Sequence, residues 1–186
     1  MFVTGRGSKS KITIKIKNAR RLTLGAGTLD DPGRHMHLDD KTFLRVIEAT
    51  PLVSIDLLIR SERGEMLLGR RSNRPAKGLW FVPGGRIRKN ETIKGALQRI
   101  SAGELGIKIE EAKLIGVFDH IYPDNFAGEA GINTHYVVIA FEYQMPAGEE
   151  VRPDVQHSEL RWWNVEEVRE SGEVHENTKA YFSKGS

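Results

Sequence analysis

Residues 85–107 read GRIRKNETIKGALQRISAGELGI. Gly85 opens the stretch, Glu91 follows, then Arg99 and Glu104, and Gly106 stands beside Ile107. Ile93, Leu97, Ile100 and Leu105 fall on one side at helical spacing, which predicts a helix over 92–105 that Gly106 can end. A glycine turn feeding a helix with spaced Glu, Arg and Glu suits a cation and pyrophosphate site. The helix brings carboxylates together and the turn lets backbone carbonyls approach a hard metal. The same spacing also describes an ordinary amphipathic helix with a charged outer face, and it leaves both readings open.

Working outward, Asp39 or Asp40 can cap a helix over 39–48 whose stripe is Phe43, Leu44 and Ile47. Two strands, 52–59 and 65–70, read as a hairpin around a turn at 61–64. Residues 73–78 form a loop, and Trp80-Phe81-Val82 is a short strand ending in Pro83-Gly84-Gly85. Further strands are predicted near 113–119, 135–143 and 159–163, with loops at 123–133 and 146–157. Short helices near 165–170 and 175–182 close the chain. Strands with one long helix between them give an α/β class, a mixed β-sheet sandwiched between helices.

Composition narrows the function classes. The chain has 186 residues, 39% hydrophobic and 28% charged, enough for one domain with its own core. It has no cysteine, which excludes disulfides, thiolate zinc sites and a cysteine nucleophile, and fits a reducing, cytoplasmic setting. No run reaches the length of a membrane-spanning helix, so no membrane partner is expected. Residues 1–35 carry eight basic side chains against Asp30 and Asp31, and the rest of the chain is slightly acidic. The basic balance therefore lies in this segment, and the body gives no reason to expect nucleic acid. Ile12, Ile14 and Ile16 alternate with lysines there, as in an edge strand. The segment reads as such a strand, as sequence ahead of a natural start at Met36, or as a nucleic-acid or membrane arm. The division expected is an extension over 1–35 and one domain over 36–186. His35 and His37 are too few for a metal site.

The stretch 85–107 resembles the Nudix hydrolase box, G-x5-E-x7-R-E-U-x-E-E-x-G-U with U aliphatic. Gly85, Glu91, Arg99, Glu104, Gly106 and Ile107 match in register. Ile100 replaces the first Glu of the R-E-U-x-E-E core, Ser101 replaces the aliphatic residue, and Gly103 replaces the next Glu. Positions 100, 103 and 104 share a helix face, so a full box clusters three carboxylates where this chain keeps one. That argues against multi-metal chemistry at phosphorus and for one divalent ion holding a diphosphate. This altered box is similar to that of the GDP-mannose mannosyl hydrolase branch. The similarity extends over roughly 36–184, through TPLVSIDLLI, GEMLLGRRSNRPAKGLWFVPGGR, RISAGELGI, DNFAGEAGINTHYVVIAF, PDVQHSELRWW and VHENTKAYF.

The resemblance implies a Nudix fold and hydrolysis of GDP-mannose, with GDP-glucose a second candidate, by attack of water at the sugar C1 to give GDP and free sugar. It implies one Mg²⁺ per site, replaceable by Mn²⁺, held by the Gly84 carbonyl, Glu104 and Gln156, and it implies His157 as general base. Arg71, Arg86 and Arg99 match phosphate-side positions, though Arg99 can equally brace the turn by pairing with Glu91. Asp56 and Tyr136 match the sugar side, with His120 beside the same pocket and Phe118 where the branch often has tryptophan. A homodimer is implied too. The alternatives are a Nudix pyrophosphatase acting on another nucleoside diphosphate compound, and a non-catalytic nucleotide-sugar sensor.

Overall fold

The computed structural model describes residues 14–15, 38–151 and 157–183. Its first long element, α1 (Asp40–Ala49), starts where Asp39 accepts hydrogen bonds from the Thr42 amide at 2.9 Å and the Thr42 hydroxyl at 2.8 Å. It stops before Pro51, whose ring disfavours a helical residue ahead of it. β2 (Leu52–Arg60) then runs through the centre of the sheet. It pairs antiparallel with β3 (Met66–Arg71) and parallel with β7 (Thr134–Gln144), from Leu52 opposite Tyr136 to Arg60 opposite Gln144. Gly64, at φ +76°, makes the turn between β2 and β3.

Two short strands, β4 (Trp80–Phe81) and β5 (Gly84–Arg86), pair with β3 and β2. The helix predicted over 92–105 is α2 (Ile93–Leu105). Thr92 caps it by accepting from the Gly95 amide at 3.1 Å, and Gly106 ends it in the left-handed region at φ +69°. β6 (Lys113–Tyr122), β8 (His157–Trp163), α3 (Val165–Glu170) and α4 (Glu176–Ala180) complete the described elements. With β1 (Ile14–Lys15), the strand order is β1-β8-β3-β2-β7-β6, a mixed sheet as the sequence suggests.

Three details differ from the sequence reading. Pro83-Gly84-Gly85 does not merely end a strand, because Gly84 and Gly85 begin β5 opposite Asp56 and Ile55. The strand expected to end at 119 continues to Tyr122, since Asp119 and His120 still pair with Val137 and Tyr136. The last strand begins at His157, opposite Arg71, earlier than expected. Of the N-terminal strand expected around residues 12–16, Ile14 and Lys15 pair with Leu160 and Glu159 at the sheet edge, and the remainder lies outside the described residues. Among the described residues no helix is long and apolar enough to cross a membrane.

Alternation along β2 divides the interior. Ile55, Leu57 and Ile59 pack with Leu97, Ile100 and Leu105 of α2. Leu58 faces the opposite side, among Met66, Trp80, Trp163 and Tyr181. Asp56 shares that second side with Leu58 and the buried Ser54, so the strand's period delivers a carboxylate to the face away from α2.

Glycine is required where β5 meets β2. A Cβ on Gly84 would lie 2.5 Å from the Ile55 carbonyl and 2.7 Å from an Asp56 carboxylate oxygen. At Gly103, by contrast, a Cβ would meet nothing within 4 Å. Urea unfolding should therefore show Gly84→Ala losing about 1–3 kcal/mol, as overpacking does. Gly103→Ala should gain up to about 1 kcal/mol, because glycine is a poor helix former.

Candidate active site

The turn between β5 and α2 is tied to the helix by one residue pair. Arg99 Nε and Nη2 donate to the two carboxylate oxygens of Glu91 at 2.6 and 2.8 Å, and Nη2 also donates to the Arg86 carbonyl at 2.8 Å. Glu91 in turn accepts from the Arg88 amide at 2.9 Å. The hydrogen bond from Arg99 is the main reason the Glu91 carboxyl titrates below its ordinary value. Of the two roles read for Arg99, the bracing one is the one the geometry displays. Asn90, at φ +65°, turns the chain inside this clamp, a conformation asparagine tolerates.

The helix face behind the turn accounts for the altered box. Ile100 is 2% exposed and packs on Gly85, where a Cβ would lie 3.3 Å from the isoleucine side chain. Ser101 is fully buried and serves the backbone: its hydroxyl accepts from the Ile109 amide and donates to the Gln98 carbonyl, each at 3.2 Å. Gly103 carries nothing. Glu104, 6% exposed, is the carboxylate that remains of the box's three. Among the described residues no three His, Asp or Glu side chains group closely enough to hold a metal.

The donors available among the described residues are one buried carboxylate, Glu104, and the carbonyls of a strand that Gly84 lets approach β2 closely. These are hard oxygens, and they fit a single Mg²⁺-like ion that takes most of its ligands from substrate and water. Gln156, the third ligand implied, lies outside the described residues, and so does the side chain of His157. The His157 backbone pairs with Arg71 of β3.

The sugar-side candidates meet on the sheet face opposite α2. Tyr136 stands between Leu52 and His120 across three strands, and Asp56 lies nearby on β2. Burial pushes the Asp56 carboxyl up to about 6, against a hydrogen bond from Tyr181 and the charge of Arg71. Burial pulls the His120 imidazole down to about 4, helped by the His175 charge and opposed by Asp119. Burial also raises the Tyr136 phenol, while Arg86 and Arg71 act the other way. The Arg86 guanidinium lies over the Phe43 ring, 4.0 Å from its centroid, and Arg71 lies 5.3 Å from that of Phe81. The structure therefore brings Asp56, His120, Tyr136, Arg71 and Arg86 to one region and leaves Arg99 behind the turn.

Several residues of this region went unread in the sequence. Tyr181, after α4, donates to Asp56 at 2.7 Å. His175 caps α4 by accepting from the Asn177 amide at Nδ1, 3.1 Å away, and stacks on Phe81 at 4.6 Å. Tyr122 lies 5.3 Å from His175 and 6.1 Å from Tyr136, between ring centroids. Arg74 and Lys77 join Arg71, Ser72, Asn73 and Phe126 around an open cleft of about 450 Å³. The signal for Tyr181 and His175 was present in VHENTKAYF, which carries polar and aromatic residues in a segment too short for any periodicity to rank them.

Comparison with known proteins gives the family. Residues 50–183 match the NUDIX domain. The chain belongs to the Nudix hydrolase family. It is 41% identical over 124 residues to the low-salt glycan biosynthesis protein Agl8 of Haloferax volcanii, covering 67% of this chain and 78% of that protein. It is 28% identical to the ADP-ribose pyrophosphatase of Methanocaldococcus jannaschii over 55% of this chain and 59% of that one. The MutT protein of Methanosarcina mazei superposes with a TM-score of 0.60 at 26% identity, over 72% of this chain and 92% of its own. A MutT Nudix hydrolase of Burkholderia pseudomallei gives 0.59 at 26% identity, over 74% and 99%. Nudix hydrolases generally use a divalent metal such as Mg²⁺.

The buried imidazole has a measurable signature. The His120 pKa lies below its ordinary value of 6.5, at about 4, so its contribution to stability is full above 6.5 and is lost as the pH falls through about 4. In that window the unfolded chain binds the extra proton. Urea titrations of wild type and His120→Asn at pH values of about 7.5 and about 4.5 should show the wild type losing more stability than the variant on acidification.

Proposed function

We propose that this Nudix hydrolase cleaves a GDP-sugar, GDP-mannose first and GDP-glucose second, at the sugar C1, releasing GDP and free sugar. The observation that carries the reading is the burial of Ile100 against Gly85, at the position where the box has its first Glu. With that place apolar and Gly103 bare, α2 offers Glu104 as its one box carboxylate, which is modest equipment for attack on phosphorus. Attack on carbon needs less. A sugar centre passes through an oxocarbenium-like state, and a diphosphate can leave without a proton once its charge is neutralised.

Each residue then has a task. His157 takes the proton of the attacking water, an ordinary task for an imidazole near neutral pH. The C1–O bond breaks and its electrons leave with the GDP. Arg71 and Arg86 meet the diphosphate oxygens, where the guanidinium fork suits bidentate contact. Asp56, Tyr136 and His120 face the sugar, and the Asp56 carboxylate opposes the positive charge that develops there. Gly84, Glu104 and Gln156 would hold the divalent ion, which when bound supplies countercharge to the departing diphosphate. Similarity to a relative named for glycan biosynthesis supports a sugar-nucleotide substrate. Exposed Leu114, Val117 and Ile121 on edge strand β6 support the homodimer the resemblance implies.

The competing reading is a pyrophosphatase that attacks phosphorus, which the similarity to an ADP-ribose pyrophosphatase favours. Hydrolysis of GDP-mannose with Mg²⁺ in ¹⁸O-labelled water separates the two. The expected result is label in mannose, unlabelled GDP, and a rate lowered about 10²–10⁴-fold in His157→Ala. Label in a phosphate product, or GMP with sugar phosphate as the main products, overturns the reading.

A further inference from the structure

Tyr181 follows the last described helix and reaches back to the sheet. Its hydroxyl lies 2.7 Å from Asp56 Oδ2 and 3.2 Å from His120 Nε2. Its ring is 8% exposed and stands edge-on to Phe118, with centroids 4.8 Å apart. A phenol carries one proton and accepts through its oxygen. With that proton directed at the Asp56 carboxylate, the phenol oxygen can meet His120 only as an acceptor, so Nε2 must carry a hydrogen. His120 is buried and neutral at physiological pH, and a neutral ring protonated at Nε2 has a bare Nδ1. Nδ1 lies 4.0 Å from Asp56 Oδ2.

We propose that Tyr181 is a positioning residue: the chain His120 Nε2–H to Tyr181 Oη–H to Asp56 Oδ2 locks the imidazole in one tautomer and presents Nδ1 and the Asp56 carboxylate as a pair of acceptors. Two acceptors 4.0 Å apart select groups that donate hydrogen bonds. Sugar hydroxyls meet that requirement, whereas phosphate oxygens and carboxylates, which only accept, are repelled. The cationic residues Arg71, Arg74 and Lys77 have the opposite preference. The two ends of the site thereby orient a nucleoside diphosphate sugar, with sugar hydroxyls at Asp56 and His120 and diphosphate toward the arginines. The ligand class deepens the function proposed above and rests on it; the tautomer does not.

The test uses the full chain labelled with ¹⁵N-histidine, with His120 assigned by comparison with His120→Asn. At a pH near 7.5, wild type should show a pyrrole-like Nε2 and a pyridine-like Nδ1 for this ring, and Tyr181→Phe should lose that single signature. A pyrrole-like Nδ1, an imidazolium in wild type, or an unchanged spectrum in Tyr181→Phe overturns the proposal. The wild-type spectrum decides the tautomer even where the variant folds poorly. With GDP-mannose and Mg²⁺, Tyr181→Phe should lose about 10–100-fold in kcat with little change in KM, as when a group orienting another is removed. An unchanged kcat also overturns the proposal. Absence of GDP-mannose turnover in wild type would instead overturn the function reading, and the spectrum would still decide the tautomer.

Discussion

A forked ion pair from Arg99 to Glu91 holds the site together. It joins a turn with no regular structure of its own to the helix that follows, and a third bond to the Arg86 carbonyl extends the clamp into β5. Without it, Gly84 and Gly85 would still be placed by their pairing to β2 and by Ile100 packing on Gly85, but the turn that follows would lose its tie to α2. The pair is partly buried, with Glu91 more covered than Arg99. Its value therefore lies more in fixed geometry than in surface charge attraction, which is weak in water. A guanidinium suits the task because its two donors match both carboxylate oxygens at once.

Much of this was legible in the sequence because the relevant signals are periodic. The apolar spacing from Ile93 to Leu105 and the glycine after it set α2 to within a residue. The run after Pro51 marked the central strand, and the two-residue period within it places Asp56 on the face away from α2. What periodicity does not encode is which strand adds to which. β5 is too short to announce itself and exists because Gly84 can approach β2 closely. The extension of β6 to His120 and Tyr122 depends on pairing with β7, a partner that follows it in the chain. Tyr181 is the clearest case: 125 residues separate it from Asp56, and no local pattern links them.

The site has two electrostatic regimes. Around the open cleft, arginine and lysine set a field that concentrates anions. Toward the sheet, burial dominates: it raises the Asp56 carboxyl, lowers His120 and raises the surrounding phenols. Burial there opposes charge on these groups, and their hydrogen bonds strengthen where water is scarce. A ligand with an anionic half and a hydroxyl-rich half would find each half matched.

The two box positions that carry no carboxylate in this chain differ in how readily they would take one. Position 103 looks outward, and a single substitution there would add an acid to open space. Position 100 is occupied by a side chain that helps seat the helix on the sheet, so an acid there would have to be accepted by the core before it could serve chemistry. Filling the box by substitution is therefore uneven. One step is nearly neutral, while the other must cross a valley in stability. The fold thus leaves the rim of the box open to an acid while closing its core position to one.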